Sequence, residues 1–345
     1  MNFNDEKIIV FKNDAVGDLT QSLKAIKNIT NTHKDKIIEI YLSERSEKFN
    51  FLIKGKNILY KNLNYDLNFF DKLKLINILF KKDIEKIFIL SPKNFYFFLP
   101  LFFRSIKFYA ICVDNIDNYK RPIPFLRKFL AKYVINQRDA TYKRDSISSL
   151  QLKLVNDTNN NHAVNYDFKS TNDFLNTYIS KNYAYFHIKQ KIISELKWND
   201  KDLELLFQTI LKHYENVFVT RDIEETIQKK IYDFKYNHID LSKFDVLQKN
   251  SNIFLFDNIE GIDLFNIINY SNKIIAFHGM MTNLGSLNKK KILDLFYCKI
   301  KDKRDYQNYR NSFYEFKPVY KNYDFTIPSK DISRTLKKMN YSLIK

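Results

Sequence analysis

Short apolar runs alternate with longer stretches of helical periodicity along most of the chain. Lys7–Lys12 (KIIVFK) reads as a strand, and Gly17–Ile29 as a helix with apolar positions at Leu19, Leu23 and Ile26. Lys36–Ser43 is a second strand, Phe69–Phe80 a helix, Lys86–Leu90 a strand, Asn94–Phe103 a buried helix and Lys107–Val113 a strand. A weakly patterned region from Arg138 to Asn182, polar at Asn156–His162, reads as the linker between lobes. The rhythm restarts with strands at Tyr183–Ile188, Asn216–Thr220, Ile253–Phe256, Lys273–Phe277 and Lys291–Phe296. Helices are expected at Asp200–Tyr214, Gly261–Ser271, Met281–Asn288 and Ser329–Leu343. The βα alternation predicts an α/β protein with parallel sheets, in two Rossmann-like lobes facing a central cleft. The expected division is 1–165, an acceptor-side lobe, 166–328, a nucleotide-sugar-binding lobe, and 329–345, a terminal helix.

Composition narrows the class. The chain has 345 residues, 45% hydrophobic and 16% aromatic, enough for two buried cores, so wholesale disorder is excluded. With 5 Gly and 6 Pro, fibrous and loop-rich architectures are excluded too. The two cysteines, Cys112 and Cys298, have no CxxC partner, which points to a reducing compartment without a disulfide framework. Lys and Arg number 57 against 39 Asp and Glu, a net charge of +18 that favours polyanions: nucleic acid, anionic lipid or phosphorylated sugars. Lys, Asn, Ile and Phe abound throughout, so part of that charge reflects biased composition. The uncharged run inside Asn94–Val113 ends at Arg104, too short to span a bilayer.

Candidate chemistry sits at strand ends. The first strand runs into Asn13-Asp14-Ala15-Val16-Gly17-Asp18. On local pattern alone, Asp18 with Gln21 reads as a capping box. On that pattern the cap is the favoured reading; the other is a carboxylate at a strand's carboxyl end serving as a general base. The loop is neither a P-loop nor GxGxxG. The six histidines show no HxH or HExxH spacing, so no metal or cofactor is expected. Lys120–Lys132, basic residues interleaved with Phe125, Leu126 and Phe129, reads as a core helix with a basic face or as a patch for an anionic bilayer.

The segment KIIVFKNDAVGDLTQSLKAIKNI resembles the opening of the family 9 glycosyltransferases, the ADP-heptose:lipopolysaccharide heptosyltransferase group. Those begin with an apolar strand, a short polar stretch ending in Gly-Asp, and a helix. Two further stretches are similar to that family. One is YAYFH ending at His187, followed by Lys197-Trp198 and by NVFVTRDIEE with Glu224. The other is KIIAF followed by His278-Gly279-Met280-Met281-Thr282-Asn283, where the family pattern is Asp-Thr-Gly-x-x-His. Ile188-Lys189 replaces Pro-Gly, Asn199 replaces Pro, His278 replaces Asp and Asn283 replaces His.

The resemblance implies a metal-independent, inverting glycosyltransferase of the GT-B type with Asp18 as catalytic base. Gly17, His187, Lys189, Lys197, Glu224, His278, Gly279, Thr282 and Asn283 would contact the nucleotide-sugar donor. One of Lys189, Lys191 and Lys197 would serve as the phosphate cation. A Gly-containing loop opening a helix is itself a ready anion site. The implied acceptor is a lipopolysaccharide, lipooligosaccharide or other lipid-linked or surface glycan, reached from the cytoplasm at the inner face of the membrane with peripheral contact to anionic lipid. The alternatives are a basic nucleic-acid-binding α/β protein, although no nucleic-acid-binding signature is present, or a catalytically degenerate scaffold.

Overall fold

The structure, a computed structural model, describes residues 4–113, 124–136, 147–155, 173–222, 230–243, 245–247, 251–297 and 323–344. The chain divides into two compact units, with the described residues up to 155 in the first and those from 173 onward in the second. Each is an α/β layered unit built on its own sheet.

The first unit runs β1 (Asn4–Lys12), α1 (Val16–Thr32), β2 (Lys36–Leu42), β3 (Ile58–Asn62), α2 (Phe69–Phe80), β4 (Ile84–Ile89), α3 (Leu99–Phe102), β5 (Lys107–Val113), β6 (Lys132–Asn136) and α4 (Ile147–Leu154). Its six strands pair in the order β3-β2-β1-β4-β5-β6, parallel throughout. Ile8, Ile9, Val10 and Phe11 at the centre are wholly buried, as expected for strands covered on both faces. On one side, Leu75 and Leu79 of α2 pack with Phe97, Leu99, Phe103 and Leu126 over β4 and β5.

The second unit runs α5 (Asp173–Ile179), β7 (Tyr183–Ile188), α6 (Gln190–Leu196), α7 (Asp200–Leu211), β8 (Asn216–Arg221), β9 (Asn237–Asp240), β10 (Asp245–Leu247), β11 (Ile253–Asp257), α8 (Gly261–Tyr270), β12 (Lys273–Phe277), α9 (Met280–Leu287), β13 (Ile292–Leu295), β14 (Tyr323–Thr326) and α10 (Ile332–Ile344). The sheet order is β10-β9-β11-β8-β7-β12-β13-β14, parallel except for the β9–β10 pair. Ile332, Met339 and Leu343 place α10 in this unit's core beside Leu206 and Phe207 of α7. Asn199 starts α7 with a reciprocal capping box to Asp202.

The structure departs from expectation in four places. The expected helix Asn94–Phe103 is a 3-10 turn (Asn94–Phe98) followed by the short α3. Pro100 has no N–H to give a continuous helix. Pro124–Phe129 is a single 3-10 stretch leading into β6, rather than a long basic helix; residues 120–123 lie outside the described residues. Two helices, α4 and α5, occupy parts of the expected linker, whose polar centre Asn156–His162 lies outside the described residues. The helix after β1 starts at Val16 with Ala15 as its N-cap, which makes no side-chain capping bond. Asp18 is therefore the third helical residue, and the expected Asp18–Gln21 capping box is not the helix start.

Candidate functional site

In the first unit, parallel pairing brings the carboxyl ends of β1, β2 and β4 to one edge. Lys12 closes β1 almost wholly buried, at 2% exposure, with Nζ 2.8 Å from Oδ2 of Asp14. Ser91 donates to the same oxygen at 2.6 Å. Burial alone would raise the Asp14 carboxyl, but Lys12 and Ser91 outweigh it and hold the group below its usual range. Asn13 is buried and ties this edge together. Its Nδ2 donates to Asn64 O at 2.9 Å, and its Oδ1 accepts from Tyr96 Oη at 2.7 Å. Lys93 donates to Asn13 O at 3.1 Å.

Asp14 is thus spent on structure. Asp18, four residues on, stands exposed in the first turn of α1, next to the half-buried Gly17. A helix N-terminus favours an anion there. Asp18 is thus the more exposed of the two acids in the β1–α1 turn.

In the second unit, the ends of β7, β8, β12 and β13 share an edge. His187 is buried with both ring nitrogens engaged: Nδ1 lies 2.8 Å from Thr220 Oγ1 and Nε2 3.3 Å from Asp222 Oδ1. The other oxygen of Asp222 accepts the amide of Gln190, the first residue of α6, at 3.0 Å. His187 therefore positions Asp222, and Asp222 anchors the turn that carries Lys189.

Lys189 is the only one of the three candidate lysines aimed at the β12–α9 loop. Its Nζ donates to His278 O at 2.5 Å. Burial lowers its pKa against the pull of Asp222 and Asp294. Lys191 is exposed on α6, and Lys197 is exposed at the far end of that helix in a left-handed C-cap with φ 61°. Trp198 is core, its ring 6.0 Å from that of Phe277 and its Nε1 donating to Ser329 O. Glu224 lies outside the described residues.

The loop itself is tightly made. Gly279 has φ 142° and ψ −135°, a conformation only glycine adopts readily. A Cβ there would meet Lys189 Nζ at 2.6 Å. Thr282 Oγ1 accepts from Gly279 N at 3.0 Å and donates to Gly279 O at 2.7 Å. Asn283 Nδ2 donates to the same carbonyl at 3.1 Å. Thr282 and Asn283 therefore brace the turn with their side chains. The backbone amides of Met280, Met281 and Thr282 open α9, where helical geometry supplies no acceptor. Three amides and an ammonium converging on one loop suit an anion.

His278 continues from this loop to Asp294 Oδ2 at 2.7 Å. Sequence reasoning missed Asp222 and Asp294. The visible signal for Asp294 was an acid inside the apolar strand Ile292–Leu295. Among the described residues, no group of three or more His, Cys, Asp or Glu side chains is arranged to hold a metal ion.

Burial pushes the His187 imidazole below its usual range, against the opposing pull of Asp222. The unfolded chain then binds a proton at this position more readily than the folded one. The stability contributed at neutral pH is lost as pH falls below about 6.5, the unfolded value. Thermal unfolding is expected to drop between pH 7 and 5.5, and to drop less in His187→Gln. His33, also depressed by burial, titrates in both proteins and cancels in the comparison. Equal slopes for the two proteins would contradict the buried, neutral His187.

No family model matches the chain. A curated relative, DNA-directed RNA polymerase subunit beta'' of Plasmodium falciparum, is 27% identical over 216 residues, covering 56% of this chain and 21% of that protein. The match thus spans about a fifth of the relative's length. Solved structures align over nearly all of the chain. The glycosyl transferase family 9 structure from Veillonella parvula is 10% identical with a TM-score of 0.66, covering 100% of this chain and 99% of that one. The E. coli heptosyltransferase WaaC with ADP is 9% identical with a TM-score of 0.58, covering 98% and 99%. UDP-GlcNAc 2-epimerase from Methanocaldococcus jannaschii is 10% identical with a TM-score of 0.53, covering 98% and 92%. At these identities the likeness concerns architecture: the chain has the two-domain α/β fold of GT-B glycosyltransferases, the one expected from its sequence.

Proposed function

We propose that this protein is a glycosyltransferase, a divergent relative of the family 9 enzymes, that moves a sugar from a nucleotide-sugar donor to a surface glycan with inversion and without a metal. The observation that carries the reading is the anion-ready loop at the start of α9, with Lys189 fixed on it, on a fold shared with a heptosyltransferase solved with ADP. The donor's diphosphate rests on the amides of Met280–Thr282 and on Lys189. Gly279 permits the close approach, Thr282 and Asn283 hold the turn, and His187 and Asp222 hold the lysine's backbone. Lys197 and Glu224, implied by resemblance, belong to the nucleotide's outer contacts in this reading.

Asp18 takes the proton of the acceptor hydroxyl, with Gly17 leaving room for the incoming sugar. The oxygen attacks the anomeric carbon, the bond to the diphosphate breaks, and its electron pair leaves on the phosphate oxygen. Amide dipoles and Lys189 meet that charge.

The first unit also carries an apolar face suited to a lipid-linked acceptor. Phe69 and Phe70 of α2 are 66% and 78% exposed, and Leu73 and Phe80 share their side of the helix, with Lys72, Lys74 and Lys81 close by. Phe125 and Phe129 add exposed rings beside Lys128. We place the protein at the cytoplasmic face of an anionic membrane through this surface. Among the described residues no helix is long and apolar enough to cross a membrane.

Two outcomes check these readings. In Asp18→Asn, transfer is expected to fall by about 10²–10⁴-fold, the usual worth of a general base, with melting temperature and nucleotide binding unchanged. Retained turnover would remove Asp18 from the role. A salt-dependent gel shift with no nucleotide-sugar binding would instead favour the nucleic-acid reading. Vesicles containing phosphatidylglycerol are expected to sediment the protein, and Phe69→Ser/Phe70→Ser to weaken this. Equal sedimentation of the variant would exclude the α2 face.

A further inference from the structure

Helix α2 opens at the edge of the first sheet that also carries the β1–α1 turn, because β3 runs parallel to its neighbours and leads into α2 through the loop Leu63–Asn68. That loop is bonded at both ends. On one side, Asn13, wholly buried at the end of β1, donates from Nδ2 to Asn64 O at 2.9 Å. Lys93, from the turn after β4, donates to Asn13 O at 3.1 Å and to Tyr65 O. Tyr65 N donates to Glu44 Oε2 at 2.8 Å, and Arg45 Cζ lies 4.0 Å from the centre of the Tyr65 ring. On the other side, Asn64 Nδ2 donates to Asp71 Oδ2 at 3.0 Å. The same oxygen accepts Asn68 N at 3.1 Å, and Asn68 Oδ1 accepts Asp71 N at 2.9 Å, the capping box that starts α2.

Asn64 thus faces two ways, its backbone to the end of β1 and its side chain to the first turn of α2. Asn64 and Asn68 are exposed, so water competes for these bonds and the strap opens locally at small cost. What the strap carries is apolar. Phe69 and Phe70 are 66% and 78% exposed, Leu73 and Phe80 follow along the helix, and Lys72, Lys74 and Lys81 border them. An apolar strip edged with cations complements an anionic bilayer in both respects. Only a formed first turn sets Phe69 and Phe70 on the helix with Leu73, so a bilayer favours the closed strap over the open one.

We propose that Asn13, Asn64 and Asp71 form a strap that couples bilayer contact at α2 to the β1–α1 turn that carries Asp18. Anionic lipid at Phe69 and Phe70 holds the first turn of α2. Asp71, in that turn, holds the Asn64 side chain, and Asn64 O holds Asn13 at the head of the β1–α1 turn. The carboxyl edge of the first sheet is thereby most ordered when the protein sits on a membrane, with lipid as the effector. The inference rests on the membrane reading of α2.

The test is amide hydrogen exchange on the full chain, alone, with phosphatidylcholine vesicles, and with vesicles that also contain phosphatidylglycerol. In the unsubstituted chain the anionic vesicles are expected to slow exchange about 3- to 10-fold in both Asn64–Lys74 and Asn13–Leu19, the scale of one or two neutral hydrogen bonds. Asn64→Ala, at an exposed position, is expected to fold and to bind the same vesicles. Its bond to Asp71 is gone, so slowing is expected to persist in Phe69–Lys74 and to vanish in Asn13–Leu19. Asn64→Asp, which sets a second carboxylate against Asp71, is expected to behave alike. Phe69→Ser/Phe70→Ser keeps the strap and is expected to show slowing in neither segment. An Asn64 with a merely structural role would raise exchange without lipid and leave the vesicle-dependent slowing of Asn13–Leu19 in place, which overturns the inference. Vesicle binding by the unsubstituted chain with no slowing in Asn13–Leu19 also overturns it and leaves the membrane reading standing. Failure of the unsubstituted chain to bind anionic vesicles overturns both.

Discussion

Parallel strand pairing is the constraint on which the chemistry depends. A parallel ladder points every strand the same way, so all the carboxyl ends, and the loops that follow them, lie along one edge. In the second unit this brings Lys189 to the carbonyl of His278 across 89 residues of chain, and His187 to Asp222 across 35. The strands that do this are buried on both faces; β7, β11 and β12 have no exposed position at all. Burial and site geometry are therefore one requirement. A substitution that loosened Phe186 or Ile275 in the core would also shift the turn carrying Lys189.

Polar groups at such an edge divide into those closed on one another and those left accessible. A buried charge must be paired or it destabilises the fold. Lys12 with Asp14, His187 with Asp222, and the Arg221–Asp257–His238 cluster satisfy that rule internally. They fix loops and have little left for a substrate. Asp18 on the first unit and Lys189 and His278 on the second retain exposure at the same edges. Asp294 is wholly buried and lies 2.7 Å from the ring of His278, whose carbonyl accepts from Lys189. Asp14 is held by Lys12 and Ser91, whereas Asp18, four residues on, is exposed in the first turn of α1.

The amino-acid sequence showed the central strands plainly. IIVF, YAYF and IIAF are unbroken apolar runs bounded by polar residues, a pattern that a doubly covered parallel strand requires. Strands at the sheet margins were silent. β3 is half polar because only one side of it is covered, and β9, β10 and β14 are three or four residues long. The start of α1 was misread because Asp-x-x-Gln resembles a cap, whereas an extended Ala15 opens the helix. The turn at Gly279 was legible, since a glycine between a strand and a helix marks a tight change of direction. Its supports were not. Asp222 and Asp294 act through neighbours distant in sequence, and each looks locally like a polar residue at the end of, or inside, an apolar run.

Amide hydrogen exchange on the full chain tests whether the β12–α9 loop binds the diphosphate of a nucleotide. Adding a nucleoside diphosphate that binds is predicted to slow exchange at Met280–Asn283 and around Lys189–Gln190, with the β9–β11 margin of the same sheet unchanged. Saturating binding with no slowing at those amides, or slowing confined to other loops, would contradict it.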